Sequence, residues 1–215
     1  MKPMLLIFLS TAIAFGDPQG TAISPSPDNP GSPLFDGKTL NGWTIRKGEE
    51  PWWKVENGAI IGGSLDKPIP HNTFITLPKR YGDFELRLKV KVEGQKPNAG
   101  IQIRSERIPK HHEMIGYQAD VGIGYWGKLY DESRRKKIIG EYVSKASAKA
   151  VKDGWNDYRI RCEGPRIRLW LNGILTVDYT EKEKDIPLTG LIALQAQAGK
   201  PFLVHYKDIE IEELD

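Results

Sequence analysis

Apolar residues in this chain recur with a period of two far more often than with a period near 3.6, which predicts strands instead of helices. The clearest run is Asp83 to Val92, where Phe84, Leu86, Leu88, Val90 and Val92 point one way and Glu85, Arg87, Lys89 and Lys91 the other. That pattern is a long, half-buried antiparallel strand. Ala99, Ile101 and Ile103 alternate with Gly100, Gln102 and Arg104, and further on Tyr117, Ala119 and Val121 alternate with Gln118 and Asp120. Trp155 to Cys162 alternates in the same way. Two further pairs of apolar runs are separated by Asn57-Gly58 and Asn172-Gly173, the strongest short signal for a hairpin. His71 to Leu77, Leu188 to Gln197 and Phe202 to Leu214 read as additional strands, Pro33 to Gly37 and Leu40 to Trp43 as turns, and only Glu141 to Lys152 looks helical. About ten or more short strands with regularly spaced turns predict an all-β fold, an antiparallel two-sheet sandwich of jelly-roll type.

On such a sandwich the polar pairs Gln102 with Arg104, Gln118 with Asp120, and Gln195 with Gln197 fall on the concave outer side of one sheet, while Ile101, Ile103, Ala119, Val121, Leu194 and Ala196 fill the core. Solvated strand faces favour long Lys and Glu side chains. Gln, Asp and Arg beside Gly124-Tyr125-Trp126-Gly127 suit a sugar instead, because amides and carboxylates bond hydroxyls and aromatic faces pack on pyranose rings. The predicted partner is therefore a carbohydrate held in a shared cleft, and the competing reading is an ordinary solvated sheet face.

Composition narrows this picture. At 215 residues the chain suits a single domain, expected over residues 33–215. Lys+Arg 31 against Asp+Glu 28 gives a net charge of +3 without a basic arm, which disfavours nucleic acid. Residues 1–14 follow the pattern of a signal peptide, with an apolar run from Met4 and small residues at Ala12 and Ala14. Residues 15–32, rich in Pro, Ser, Gly and Asp, read as a disordered linker. These features predict a periplasmic or secreted protein with no stable membrane anchor after signal cleavage. The single cysteine, Cys162, has no partner for an intramolecular disulfide and is expected in the core.

Several segments then occur in a specific order: Leu34-Phe35-Asp36-Gly37-Lys38-Thr39-Leu40-Asn41-Gly42-Trp43, Tyr81-Gly82-Asp83-Phe84-Glu85-Leu86, Asn98-Ala99-Gly100-Ile101-Gln102-Ile103-Arg104, Gly116-Tyr117-Gln118-Ala119-Asp120, Trp155-Asn156-Asp157-Tyr158, Leu171-Asn172-Gly173 and Tyr206-Lys207-Asp208-Ile209. Together they resemble the family formerly called DUF1080, the 3-keto-glycoside lyase and hydratase domain, over nearly everything from Leu34 onward. The resemblance implies a concanavalin A-like jelly roll. It also implies a glycoside oxidised at C3, whose carbonyl acidifies the C2 proton so that the C1 substituent can leave by elimination, with water then adding to the glycal. Two positions depart from the family pattern: Ala99 stands where Ser is frequent, and Gln197-Ala198-Gly199 where His-Gly-Gly is frequent.

Such chemistry needs a base, an enolate stabiliser and an acid. Asp120 is the candidate base and Arg104 the candidate stabiliser, both expected on the polar face and outside the core. Tyr125 or Tyr130 would protonate the leaving oxygen, Trp126 would stack on the sugar, and Gln102, Gln118, Gln195 and Gln197 would bind its hydroxyls. The sequence identifies no certain cofactor. His111-His112-Glu113 lacks the spacing of a zinc site, while a divalent cation held by Asp120 and amide oxygens is left open. Two other classes compete: a non-catalytic, lectin-like carbohydrate-binding module on the same face, and an adhesion or scaffold domain using sheet edges or the Arg134-Arg135-Lys136-Lys137 cluster.

Overall fold

The computed structural model describes residues 31–215; the expected signal peptide and all but the last two residues of the expected linker lie outside the described residues. Among the described residues, fifteen strands form two antiparallel sheets. The first contains β1 (Ser32–Pro33), β3 (Trp53–Glu56), β4 (Ala59–Ser64), β6 (Phe84–Gly94), β11 (Asn156–Glu163), β12 (Arg166–Leu171), β13 (Ile174–Thr180) and β15 (Phe202–Glu213), in the order β13-β12-β11-β6-β15-β4-β3 with β1 paired to the far half of β15. The second contains β2 (Thr44–Ile45), β5 (Thr73–Tyr81), β7 (Asn98–Arg107), β8 (Met114–Gly122), β9 (Leu129–Glu132), β10 (Lys137–Gly140) and β14 (Gly190–Ala196), in the order β10-β9-β8-β7-β14-β5-β2. This is the expected sandwich, and both Asn-Gly hairpins form, with Asn57 and Asn172 in the left-handed region that such turns require.

The apolar faces meet between the sheets. Phe84, Leu86, Leu88 and Val90 on β6 are buried, as are Tyr158, Ile160 and Cys162 on β11, and opposite them lie Ile101 and Ile103 on β7, Ala119 and Val121 on β8, and Leu194 on β14. Two tyrosines of the first sheet cross this core to hold the second. Tyr158 Oη donates to the Asp120 carbonyl at 3.0 Å, and Tyr206 Oη lies 2.7 Å from the Gln195 carbonyl and 3.1 Å from that of Gly100. The backbone beneath the polar pairs is thereby fixed from behind.

One expectation is corrected. No α-helix forms over Glu141–Lys152; only a 3-10 turn at Ser147–Lys149 is present. Serine hydroxyls compete with helical bonding here, Ser144 Oγ accepting from the Ser147 amide at 3.2 Å and Ser147 Oγ donating to the Leu175 carbonyl at 2.7 Å. In the Arg134–Lys137 cluster, Arg134 and Arg135 pair with the buried Asp131 and Arg135 also with Glu181.

A bulge sets the shape of the outer face of the second sheet. Between Ile103 and Glu106, β7 carries one residue more than β8, Arg104 takes a φ of 46°, and Gly116 opposite takes a φ of 147° with Ser105 packed where a Cβ would be. Bulges bend strands. Beyond this one the β7–β8 hairpin folds back across its own sheet, so that Arg107 Nη2 donates to the Phe74 carbonyl on β5 at 2.7 Å and Asn72 Nδ2 donates to Glu113 Oε2 at 3.2 Å. The outer face becomes a hollow with a roof over part of it.

Candidate functional site

Cross-strand register assembles the hollow in rows. Gln195, Gly100 and Asp120 lie side by side on β14, β7 and β8; Gln102, Gln118 and Tyr130 do so on β7, β8 and β9; and Glu132 lies opposite Gly116. Gly100 is needed for space, since a Cβ there would run into the Gln118 amide. With that gap filled by Gln118, a chain of hydrogen bonds runs from Ser105 Oγ to Gln102 Oε1 at 2.7 Å, from Gln102 Nε2 to Gln118 Oε1 at 2.7 Å, and from Gln118 Nε2 to Asp120 Oδ1 at 2.8 Å. At its end opens a cleft of about 230 Å³ lined by Gln118, Asp120, Tyr125, Tyr130 and Gln197 together with Asn72, Asn98 and Glu132.

Asp120 is 4% exposed. Burial is the main reason its carboxyl is pushed up to about 7; the Glu132 charge adds to the shift, while the Gln118 hydrogen bond and Lys128 oppose it. Glu132 is also raised, by burial first and by Glu113 second, against bonds from Ser133. Burial likewise raises the Tyr130 hydroxyl, helped by Glu132 and Asp120. The cleft thus holds two carboxyls displaced toward neutrality and a phenol that keeps its proton, a set suited to moving protons near pH 7.

Of the residues expected at the site, Asp120, Gln118, Tyr125, Tyr130 and Gln197 come together. Arg104 does not. The bulge turns its side chain off the polar face, where it is fully buried: Nε donates to the Gly82 carbonyl at 2.9 Å, Nη1 to that of Gly164 at 2.6 Å, and Nη2 to Asp83 Oδ1 at 2.8 Å. Ser105 occupies its predicted place beside Gln102. Trp126 is buried in the core, its carbonyl held by Tyr142 Oη at 2.6 Å, so the exposed aromatic of this loop is Tyr125. Gln102 and Gln195 lie on the predicted face but are fully buried: Gln102 is the link behind Gln118, and the Gln195 amide has no protein partner. Among the described residues no three His, Cys, Asp or Glu side chains cluster as metal ligands would, so the donors around Asp120 do not make a three-carboxylate cation site.

Sequence reasoning missed Asn72, Asn98 and Glu132. Asn98 opens a strand already recognised, and its register with Gly122 was available; Glu132 sits on the short β9, which the expected strand set did not include. Asn72 gave no signal in its Pro-rich surroundings.

This chain belongs to the family described as the 3-keto-alpha-glucoside-1,2-lyase-like domain, which matches residues 31–212. That is a carbohydrate-active family, in agreement with the resemblance seen in the sequence. Among solved structures, a candidate glycosyl hydrolase from Parabacteroides distasonis is 23% identical with a TM-score of 0.63, covering 86% of this chain and 100% of that one. The carbohydrate binding module CBM66 from Bacillus subtilis is 18% identical with a TM-score of 0.61, covering 80% and 96%. A Bacillus subtilis protein with a galectin-like fold is 10% identical with a TM-score of 0.61, covering 81% and 90%. At these identities the likeness is one of fold, the lectin-like jelly roll. No curated protein matches the chain in sequence.

Proposed function

We propose that the cleft cleaves glycosides oxidised at C3 by elimination across C1 and C2, with water then adding to the product. Asp120, ionised in a substantial fraction of molecules near neutral pH, removes the C2 proton that the C3 carbonyl acidifies. Charge moves onto the C3 oxygen, which the Tyr130 hydroxyl and the side-chain amides of Asn98 and Gln197 can meet with hydrogen bonds. As the carbonyl re-forms, a C1–C2 double bond appears, the C1–O bond breaks, and Glu132 gives its proton to the departing oxygen. Addition of water oxygen at C1 and a proton at C2 completes a net hydrolysis. Tyr125 offers its exposed ring to the sugar face. The observation that carries this reading is the buried Asp120 carboxyl, aimed into a cleft beside a second carboxyl with the same direction of shift.

Incubation with a 3-keto disaccharide should release the free leaving sugar with transient enone absorbance. Absence of turnover across several such substrates by folded protein would remove the enzyme reading. The second reading, a binding module without catalysis, is favoured by the fold shared with a carbohydrate-binding module; it predicts binding of unoxidised glycans with no product.

A further inference from the structure

A second hollow of about 290 Å³ is lined by His71, next in the chain to Asn72 of the cleft, and by His112, next to the Glu113 that Asn72 bonds. Three imidazoles wall it. His112 stacks between His71, at 4.8 Å between ring centres, and His111, at 4.3 Å. The folded-back hairpin is fastened here, since Arg46 donates to the His111 carbonyl, the Glu113 amide donates to His111 Nδ1 at 3.1 Å, and His112 Nε2 lies 3.1 Å from Glu113 Oε1. Because His111 Nδ1 accepts a hydrogen bond, its other nitrogen carries the proton and is a donor.

Cations rim this hollow. Arg46, Lys47 and Lys110 face it against one carboxylate, Glu49. Glu49 is 2% exposed, and its Oε2 is bonded by Thr73 Oγ1 at 3.0 Å and by the Phe74 amide at 3.1 Å, while its Oε1 is buried with no partner. A buried carboxylate oxygen without a donor is costly, and a ligand hydroxyl would satisfy it. The hollow therefore offers one acceptor for a hydroxyl and an excess of cationic and N–H donors for an anion.

We propose that this hollow is a subsite for a sugar residue bearing an acidic substituent, so that the preferred glycosides carry a carboxylate or sulfate on the sugar joined through the C1 oxygen. The inference rests on the cleavage reading for its connection to C1, but acidic-sugar binding at the hollow does not require turnover. Lys47 and Lys110 would meet the anion, with Arg46 holding the loop in place, and Glu49 Oε1 would accept from a ring hydroxyl.

Calorimetric titration of the full chain with glucuronic acid, glucose 6-sulfate and glucose tests this directly. The acidic sugars should bind about tenfold more tightly than glucose, as expected of a charge-assisted contact. That preference should shrink toward unity in the double variant Lys47→Gln/Lys110→Gln, with an unchanged melting temperature certifying the fold. A preference for glucuronic acid alone assigns the carboxylate, and an equal preference for both assigns any anion. Asp120→Asn should keep the preference while losing turnover, which separates failure of the cleft reading from failure of this one. Equal binding of glucose and both acidic sugars, or an undiminished preference in the double variant, would overturn the proposal.

Discussion

The outer faces of the two sheets carry the same kinds of side chain and treat them in opposite ways. On the first sheet Glu163 meets Arg161 at 2.7 Å and pairs with Arg168, and the Arg161 contact draws its carboxyl down to about 2. Beside it Glu85 bridges Arg87 and Arg161, and Arg166 grips Asp178 at 2.6 Å. On the second sheet Asp120 receives one amide bond and no cation in contact, lines a cleft beside Glu132, and is pushed up to about 7. Alternation alone predicts both faces as polar. What separates them is whether each charge finds an opposite partner before it loses water.

The largest expected effect of breaking this contrast is on chemistry: Asp120→Asn should lower turnover of a 3-keto-glycoside roughly 100-fold or more. Its melting temperature should not fall at neutral pH, because Asn keeps an acceptor for Gln118 Nε2 and carries no buried charge. Next comes Arg104→Gln, which leaves Asp83 and two carbonyls without their buried donor; chemical denaturation should show a loss of roughly 3 kcal/mol or more. Ile103→Ala, on the core face of the same strand, should cost roughly 2 to 5 kcal/mol while the folded fraction stays active. Arg166→Gln, at a largely exposed pair on the first sheet, should change stability by less than about 1 kcal/mol.

The two carboxyls also set opposite pH signatures. Asp120 has a folded pKa above its ordinary value of 3.8, so the stability it contributes is fully present below about 4 and is lost as pH rises through about 7. The melting temperature of the native chain relative to Asp120→Asn should therefore fall across that window. Glu163 is lowered from 4.5, so its contribution is present above that value and disappears as pH falls through about 2. Glu163→Gln should accordingly differ from the native chain at pH 6 and converge with it in acid. Parallel melting curves would erase the contrast between the faces.

The fold was legible because period-two runs such as Phe84 to Val92 and the two Asn-Gly turns are local signals that tertiary packing reinforced. Asp120 and Gln118 were legible for the same reason, being on an unbroken stretch of alternation in β8. Arg104 was not, because one bulged residue inverts every side chain beyond it, and nothing in Ile103-Arg104-Ser105 announces a non-glycine residue at positive φ. Trp126 was misjudged because a glycine-flanked aromatic can point either way, and the choice was made by a core that lay open beneath it. Asn72 and Glu113 meet through folding back of a hairpin, and Glu49 is placed by bonds from Thr73 and Phe74 on β5, long-range contacts with no periodic signature.

If Asp120 is a desolvated carboxylate acting as base, its ionisation governs the pH dependence of kcat/KM on a 3-keto-glycoside. The rate should rise with a limb centred near pH 7, where Asp120 loses its proton, and that limb should vanish in the residual activity of Asp120→Asn. A limb centred near pH 4, or one near 7 that persists in Asp120→Asn, would contradict the account.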